Sequence, residues 1–159
     1  MRRSLIALFL VVSMVASVAA TEREVPAKDF DLADYAGKVV VVDFWASWCP
    51  PCREAMPFLS AMQEKYGDQG LVTIAVNLDQ DPSAPDKFIA QLNDQIIVVR
   101  DGEEGLIARK HNVTGLPTAL VIDRSGKIVS THVGFHKTEK EPREAELKKL
   151  LAAREGSSS

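Results

Sequence analysis

Hydrophobic residues along this chain fall into two kinds of pattern. Residues 38–45 and 71–77 are nearly unbroken runs of β-branched and other apolar residues, which is typical of strands buried on both faces of a sheet. Over residues 49–66, apolar positions instead recur three or four residues apart, which predicts an amphipathic helix. The chain therefore places a helix directly after its most apolar strand.

Shorter patterns of the same two kinds predict the remaining elements. The further predicted strands are 29–32 (a weak edge strand), 96–99, 118–123 and 127–133. The further predicted helices are 81–92, 105–111 and 140–154. Strands and helices alternate and then end in a hairpin and a helix. This order predicts an α/β domain with a mixed central sheet and helices on both faces.

The first twenty residues differ in composition from the rest. Arg2 and Arg3 precede an apolar run at 5–12, and small residues follow as far as Ala20. This is the order of a secretory signal peptide, although an uncleaved signal anchor stays open. The apolar stretch is slightly short for a membrane span, which favours cleavage. We therefore expect a periplasmic or otherwise extracytoplasmic protein, with a signal segment, one domain and a flexible tail at residues 1–20, 21–155 and 156–159.

Composition and charge narrow the function classes. With 159 residues, 46% hydrophobic and 26% charged, the chain suits one soluble domain. Without Arg2 and Arg3 it carries 17 basic and 22 acidic side chains, a net charge of −5 with no basic cluster. This balance argues against a nucleic-acid partner. We expect a monomer.

The two cysteines of the chain lie together in Trp48-Cys49-Pro50-Pro51-Cys52, where the strand gives way to the helix. A helix N-terminus offers unpaired N–H groups and a positive dipole end, which stabilise a thiolate and lower the pKa of Cys49. Cys52, one turn on, is placed to attack a mixed disulfide formed at Cys49. The pattern indicates thiol–disulfide chemistry, with no metal or cofactor.

Two plainer interpretations of the cysteine pair are weaker. A structural zinc site needs four ligands, and the histidines at 111, 132 and 136 show no paired spacing. A purely structural disulfide would close a very short loop, and short loops gain least from cross-linking. The sequence reveals no partner for these histidines, and they are expected at the surface.

Three matches give the chain a specific resemblance. Residues 42–53 resemble the active-site segment of thioredoxin-like proteins, and the Pro-Pro pair with the export signal points to the TlpA/ResA/CcmG branch. Leu116-Pro117 before a strand, and Pro57 inside the helix, are the other two matches. The resemblance implies a thioredoxin-like fold with a cis bond before Pro117. It also implies that the helix–strand unit at about 82–99 is the insertion that distinguishes this branch.

The resemblance also implies roles for individual residues. Cys49 and Cys52 are the expected catalytic pair. Asp43 lies inside an apolar strand, where burial raises the pKa of a carboxyl group. The matching aspartate of thioredoxin assists proton transfer to and from the resolving thiol, whereas many members of this branch have asparagine there. A carboxyl merely satisfied by buried water is the alternative. The expected substrate-binding residues are Trp48, Pro50, Leu116 and Pro117.

The implied function is the reduction of disulfides in partner proteins such as apocytochromes c. Such a reductant would be kept reduced by a membrane thiol transporter of the DsbD/CcdA type. Two alternatives stay open at this stage. One is a disulfide-forming oxidase, and the other is a thioredoxin-fold copper or protein chaperone that uses Cys49 and Cys52 as ligands.

Overall fold

The computed structural model describes residues 23–153, so the expected signal segment and tail lie outside the described residues. Within this range the chain forms one six-stranded sheet with four α-helices. The strands are β1 (Glu24–Pro26), β2 (Val39–Trp45), β3 (Leu71–Asn77), β4 (Ile97–Arg100), β5 (Thr118–Ile122) and β6 (Ile128–Val133). The helices are α1 (Pro50–Tyr66), α2 (Asp86–Ile89), α3 (Leu106–Lys110) and α4 (Lys140–Ala152).

The sheet is mixed, as the sequence predicts. Its strand order is β1-β4-β3-β2-β5-β6. The first four strands in this order run parallel to one another, and β5 and β6 run antiparallel to their neighbours. The unit α2–β4 is inserted between β3 and α3, which confirms the extra helix–strand unit. Every residue of β2 is buried because the strand is central and both faces of the sheet are covered.

Alternate residues of β2 belong to two separate cores. Val39, Val41 and Trp45 face the core that contains α1 and the buried side of α4. Val40 and Phe44 face the other core, which contains α3 and the segment before β2. The alternation follows from strand geometry, in which successive side chains point to opposite faces. Helices therefore lie on both faces, and the cysteines lie in the first core.

The predicted strand at 29–32 is wrong. The edge strand is β1, and two short 3₁₀ helices, Ala27–Asp29 and Leu32–Tyr35, follow it. The Asp31 carboxylate accepts a hydrogen bond of 3.0 Å from the Ala33 N–H and caps the second of these helices. Such a local side-chain bond competes with strand pairing. A four-residue apolar pattern does not reveal this competition.

The predicted helix at 81–92 is shorter than expected and reduces to the single turn of α2. Asp81 accepts bonds from both the N–H and the hydroxyl of Ser83, at 2.9 and 2.8 Å, which fold this segment into a turn. Local side-chain bonding again replaces helix. Within residues 23–153, no helix is long and apolar enough to cross a membrane.

Gln63 of α1 completes the sheet where β4 does not reach. The pairing of β3 with β4 starts at Ile74, so the preceding residues of β3 lack a strand on that side. The buried amide of Gln63 accepts a 2.8 Å bond from the Thr73 N–H and donates one of 3.3 Å to the Leu71 carbonyl. These bonds hold α1 in a fixed position against β3.

Candidate active site

The cysteine pair lies at the predicted helix N-terminus and forms a disulfide. Cys49 is the N-cap of α1, Cys52 lies in its first turn, and their sulfur atoms are 2.09 Å apart. Pro50 and Pro51 have no N–H, so the first N–H of the helix belongs to Cys52, and it donates to Cys49 Sγ at 3.3 Å. The helix end thus directs a donor at the sulfur of Cys49, which favours its thiolate after reduction.

The two cysteines differ slightly in exposure. Cys49 retains 4% of its surface and Cys52 none, so a partner reaches Cys49 first. The indole of Trp48 beside it is 67% exposed. Attack on a partner by Cys49, followed by resolution from within by Cys52, matches this order of exposure.

Asp79 fixes the loop before Cys49, and the sequence interpretation missed it. Its carboxylate accepts 2.8 and 2.7 Å bonds from the N–H and hydroxyl of Ser47. It also accepts a 2.7 Å bond from the Asn77 amide, and Asp79 is itself buried. The carboxyl ends of the parallel strands β2 and β3 meet at one edge of the sheet. Because of this topology, polar residues that directly follow β3 in the sequence are expected close to the cysteine loop that follows β2. Asp79 could have been assigned to the site on that basis.

Asp43 is fully buried on the α1 face of the sheet. It lies in register with Ala75 of β3 and Ala119 of β5, two small side chains that leave space around its carboxyl group. Burial raises the pKa of Asp43 to about 8, and the positive charge of Arg143 opposes that rise. Its Oδ2 forms no hydrogen bond to any described residue. A carboxyl group with this pKa can take up or release a proton near neutral pH.

The Leu116–Pro117 peptide bond is cis, as the resemblance implies. Thr118 pairs with Phe44, so Pro117 lies beside the end of β2 that leads into the active-site loop. The Pro117 carbonyl accepts a 2.8 Å bond from Gly134. The main-chain N–H and C=O of Leu116 form no hydrogen bond to another described residue, and its side chain packs against the core that holds the cysteines.

One of the three histidines, His132, has a partner that the sequence does not reveal. His132 of β6 is half-buried and its Nε2 lies 2.8 Å from Glu146 Oε2 of α4. Ser130 donates a 2.5 Å bond to the other oxygen of Glu146. These contacts join residues 14 and 16 positions apart, between a strand and a helix, which no local pattern reveals. They place an ionisable pair at the sheet edge nearest Asp43.

This site defines a class of protein. A cysteine pair with two intervening residues at a helix N-terminus, with a buried carboxyl and a cis proline on neighbouring strands, is the arrangement of a thiol–disulfide oxidoreductase with a thioredoxin-like fold. Residues 15–151 match the family model described as Redoxin, and the chain belongs to that family.

Named relatives agree with this membership. The thiol-disulfide oxidoreductase ResA of Bacillus thuringiensis subsp. konkukian is 34% identical over 123 residues, 77% of this chain and 69% of that protein. A ResA of Geobacillus kaustophilus is 33% identical over 97 residues, 61% of this chain and 55% of that protein. The crystal structure described as a thiol:disulfide interchange protein DsbE of Chlorobium tepidum has 41% identity and a TM-score of 0.70. That match covers 76% of this chain and 85% of the other. The TlpA/ResA/CcmG branch is confirmed, and the protein is a thiol–disulfide oxidoreductase of ResA/DsbE type.

Proposed function

We propose that this protein is exported and reduces disulfides in other extracytoplasmic proteins, apocytochromes c among them. The observation that carries the proposal is that Cys49, the less buried of the two cysteines, lies at the helix N-terminus next to the exposed Trp48, with the unpaired main chain of Leu116 at the same core. An extended segment of a partner can pair with Leu116 as an added strand, which brings its disulfide to Cys49. Val133, 68% exposed and in register with Thr118, offers an apolar contact beside it.

The reaction runs in two exchanges. The Cys49 thiolate attacks one sulfur of the partner disulfide, forms a mixed disulfide and releases the other partner sulfur as a thiolate. Cys52 then loses its proton to the ionised carboxyl group of Asp43 and attacks Cys49 Sγ. The internal disulfide forms, the second partner thiolate leaves, and two electrons have passed to the partner. In the reverse direction, protonated Asp43 returns the proton to Cys52.

The charge around the cysteines supports reduction rather than oxidation. Strong oxidants over-stabilise their thiolate, often with a neighbouring positive charge. Here the residues between the cysteines are uncharged, and the guanidinium of Arg53 lies over the Phe88 ring, 5.8 Å from its centre. A reductant in an oxidising compartment needs a dedicated electron source, and a membrane thiol transporter of the DsbD/CcdA type would supply it.

Trapping of intermediates tests the proposal. Cys52→Ser should accumulate a mixed disulfide with a peptide that carries an oxidised CxxCH segment, and Cys49→Ser, the matched control, should accumulate none. Acid quenching and alkylation of whole cells should show the wild-type pair mostly reduced, and oxidised once the transporter is deleted. A pair found oxidised in wild-type cells would overturn the reductase assignment and favour an oxidase.

A further inference from the structure

A groove runs along α1 from its first turn, and its other wall is formed by α2 and the residues just after it. It measures about 310 Å³. Its apolar lining consists of Met56, Pro57, Ala61, Phe88 and Leu92. Pockets that bind small molecules start at about 300 Å³, so the groove has room for a large apolar side chain.

The groove is preformed because its two walls are fixed to each other and to the sheet. The hydroxyl oxygen of Ser60 on α1 accepts a 3.2 Å bond from the N–H of Asn93, which follows α2. Phe88 of α2 packs edge-on against the fully buried Trp45 of β2, with ring centres 6.5 Å apart. A preformed site loses little conformational entropy when it binds a ligand.

The two ends of the groove carry opposite charges. Arg53 lines the end near the cysteines and Glu64 lines the far end, and both residues are exposed. Neither takes part in an ion pair with any of residues 23–153. The guanidinium of Arg53 lies over the Phe88 ring, 5.8 Å from its centre, which holds this charge at the rim of the groove. An unpaired cation and an unpaired anion at opposite ends of an apolar groove favour a ligand with the reverse arrangement of charges.

The groove and Leu116 lie on opposite sides of the cysteines. In the sheet order, β3 and the inserted unit α2–β4 lie on one side of β2, whereas β5, which follows Leu116, lies on the other. Arg53 is one helical turn beyond Cys49, about 6 Å along the axis of α1. A partner chain whose cysteine is bonded to Cys49 can therefore contact Leu116 on one flank and the groove on the other.

We propose that the groove binds the partner segment that flanks the reactive cysteine. It selects a segment with an acidic residue near that cysteine, an apolar residue next and a basic residue beyond. The acidic residue pairs with Arg53, the apolar side chain fills the groove, and the basic residue pairs with Glu64. Arg53 and Glu64 are 11 positions apart, which is about 16 Å along a helix and about five residues of an extended chain. This inference rests on the proposed function and adds to it the class of protein substrate.

Oxidation of the reduced protein by synthetic peptides, each closed by an internal disulfide, measures this selection in a single turnover followed by acid quenching and alkylation. The matched peptide carries glutamate, leucine and lysine in that order next to the disulfide, with about five positions from glutamate to lysine. It is made with the segment before or after the disulfide, and one of these two forms should show the selection. Replacing its leucine with serine should slow oxidation about tenfold, because an apolar contact is lost. Exchanging its glutamate and lysine should slow oxidation about fivefold.

Variants of the protein separate contact in the groove from the general effect of charge near the cysteines. Glu64→Lys should invert the preference at the distal position, so that a peptide with glutamate there reacts about threefold faster than one with lysine. Glu54→Lys is the control. Glu54 is exposed on the same helix and nearer to the cysteines, but it does not line the groove, so this variant should keep the wild-type preference. Ala61→Leu, which narrows the groove, should remove the preference for the apolar residue, and Glu54→Leu should keep it.

Hydroxyethyl disulfide is uncharged and too short to reach the groove, so its rate reports the intrinsic reactivity of Cys49 in each protein, and the peptide rates are divided by it. Equal rates for the matched and exchanged peptides in the wild type would overturn the groove as a binding site. A Glu64→Lys variant that behaves like Glu54→Lys would do the same. A wild type that reacts with hydroxyethyl disulfide but with none of the peptides would overturn the proposed function instead.

Discussion

Replacing Asp43 with asparagine should stabilise the oxidised protein at neutral pH. The carboxyl group is buried, and its pKa is raised from 3.8 to about 8, with burial as the main cause. Folding therefore binds a proton between these pH values, and stability falls as the pH rises through the interval. Asparagine keeps the shape of the protonated group and carries no charge, so the variant escapes this loss.

The size of the effect follows from the two pKa values. At pH 7 the carboxyl is ionised when the chain is unfolded and mostly protonated when it is folded. The part of the interval that lies below pH 7, from pH 3.8 upward, is about 3 units wide. At 1.36 kcal/mol per unit, the variant should gain about 4 kcal/mol at pH 7 and less than about 1 kcal/mol at pH 4. With a guanidinium slope of about 4 kcal/mol/M, the midpoint at pH 7 should rise by about 1 M.

Guanidinium unfolding of oxidised Asp43→Asn and wild type, followed by circular dichroism at both pH values, measures this gain. Asp123→Asn is the control with opposite sign. Its exposed carboxyl has a lowered pKa because Ser125 donates to it, so this variant should lose stability at pH 7 and less at pH 4. An Asp43→Asn gain that is absent at pH 7, or equal at the two pH values, would refute the assignment of a protonated buried carboxyl. The variant should also slow the attack of Cys52 on a mixed disulfide at Cys49, because it lacks the carboxylate that takes the proton of Cys52.

Three further variants test the surroundings of the site. Asp79→Ala should lower the unfolding free energy by at least about 2 kcal/mol, because it leaves buried donors without their charged acceptor. Asp81→Ala removes an exposed turn carboxylate and should change the unfolding free energy little in the same denaturant titration. Gln63→Leu should cost about 2 kcal/mol, since the main chain of β3 loses its only described partner on that side; hydrogen exchange of the Thr73 amide should accelerate. Arg143→Met should raise the pKa of Asp43 further by removing the nearby positive charge, and a carboxyl-carbon NMR titration in which that pKa fell or stayed constant would contradict the electrostatic argument.

The sequence predicts those elements of the fold that are determined by the residues within the element itself. The unbroken apolar run of β2 and the helical spacing of α1 determine where the cysteines lie, and both elements are confirmed within one residue or so. The strand β1 has only three residues, too few to show a pattern, and it exists because it pairs with β4. α2 is shortened by the bonds that Asp81 makes to the next residues.

The same contrast holds within the site. Cys49 and Cys52 follow from their spacing, and the cis bond at Pro117 follows from resemblance. The contact of Asp79 with Ser47 spans 32 residues and that of His132 with Glu146 spans 14. Both depend on which strands and helices become neighbours, which is decided by packing of the whole domain rather than by any one segment.

The anchoring of the active-site loop by Asp79 has a consequence for how electron donors and acceptors bind to this protein. The bonds to Ser47 involve no sulfur, so breaking the disulfide removes none of the bonds by which Asp79 holds the loop before Trp48. We therefore expect an electron donor and an electron acceptor to dock on the same surface, one after the other. Neither can bind for long without blocking the other, so weak, short-lived complexes are what turnover requires. Whether an encounter is productive then depends on the redox state of the partner. A partner disulfide reacts with the reduced protein, and partner thiols react with the oxidised protein.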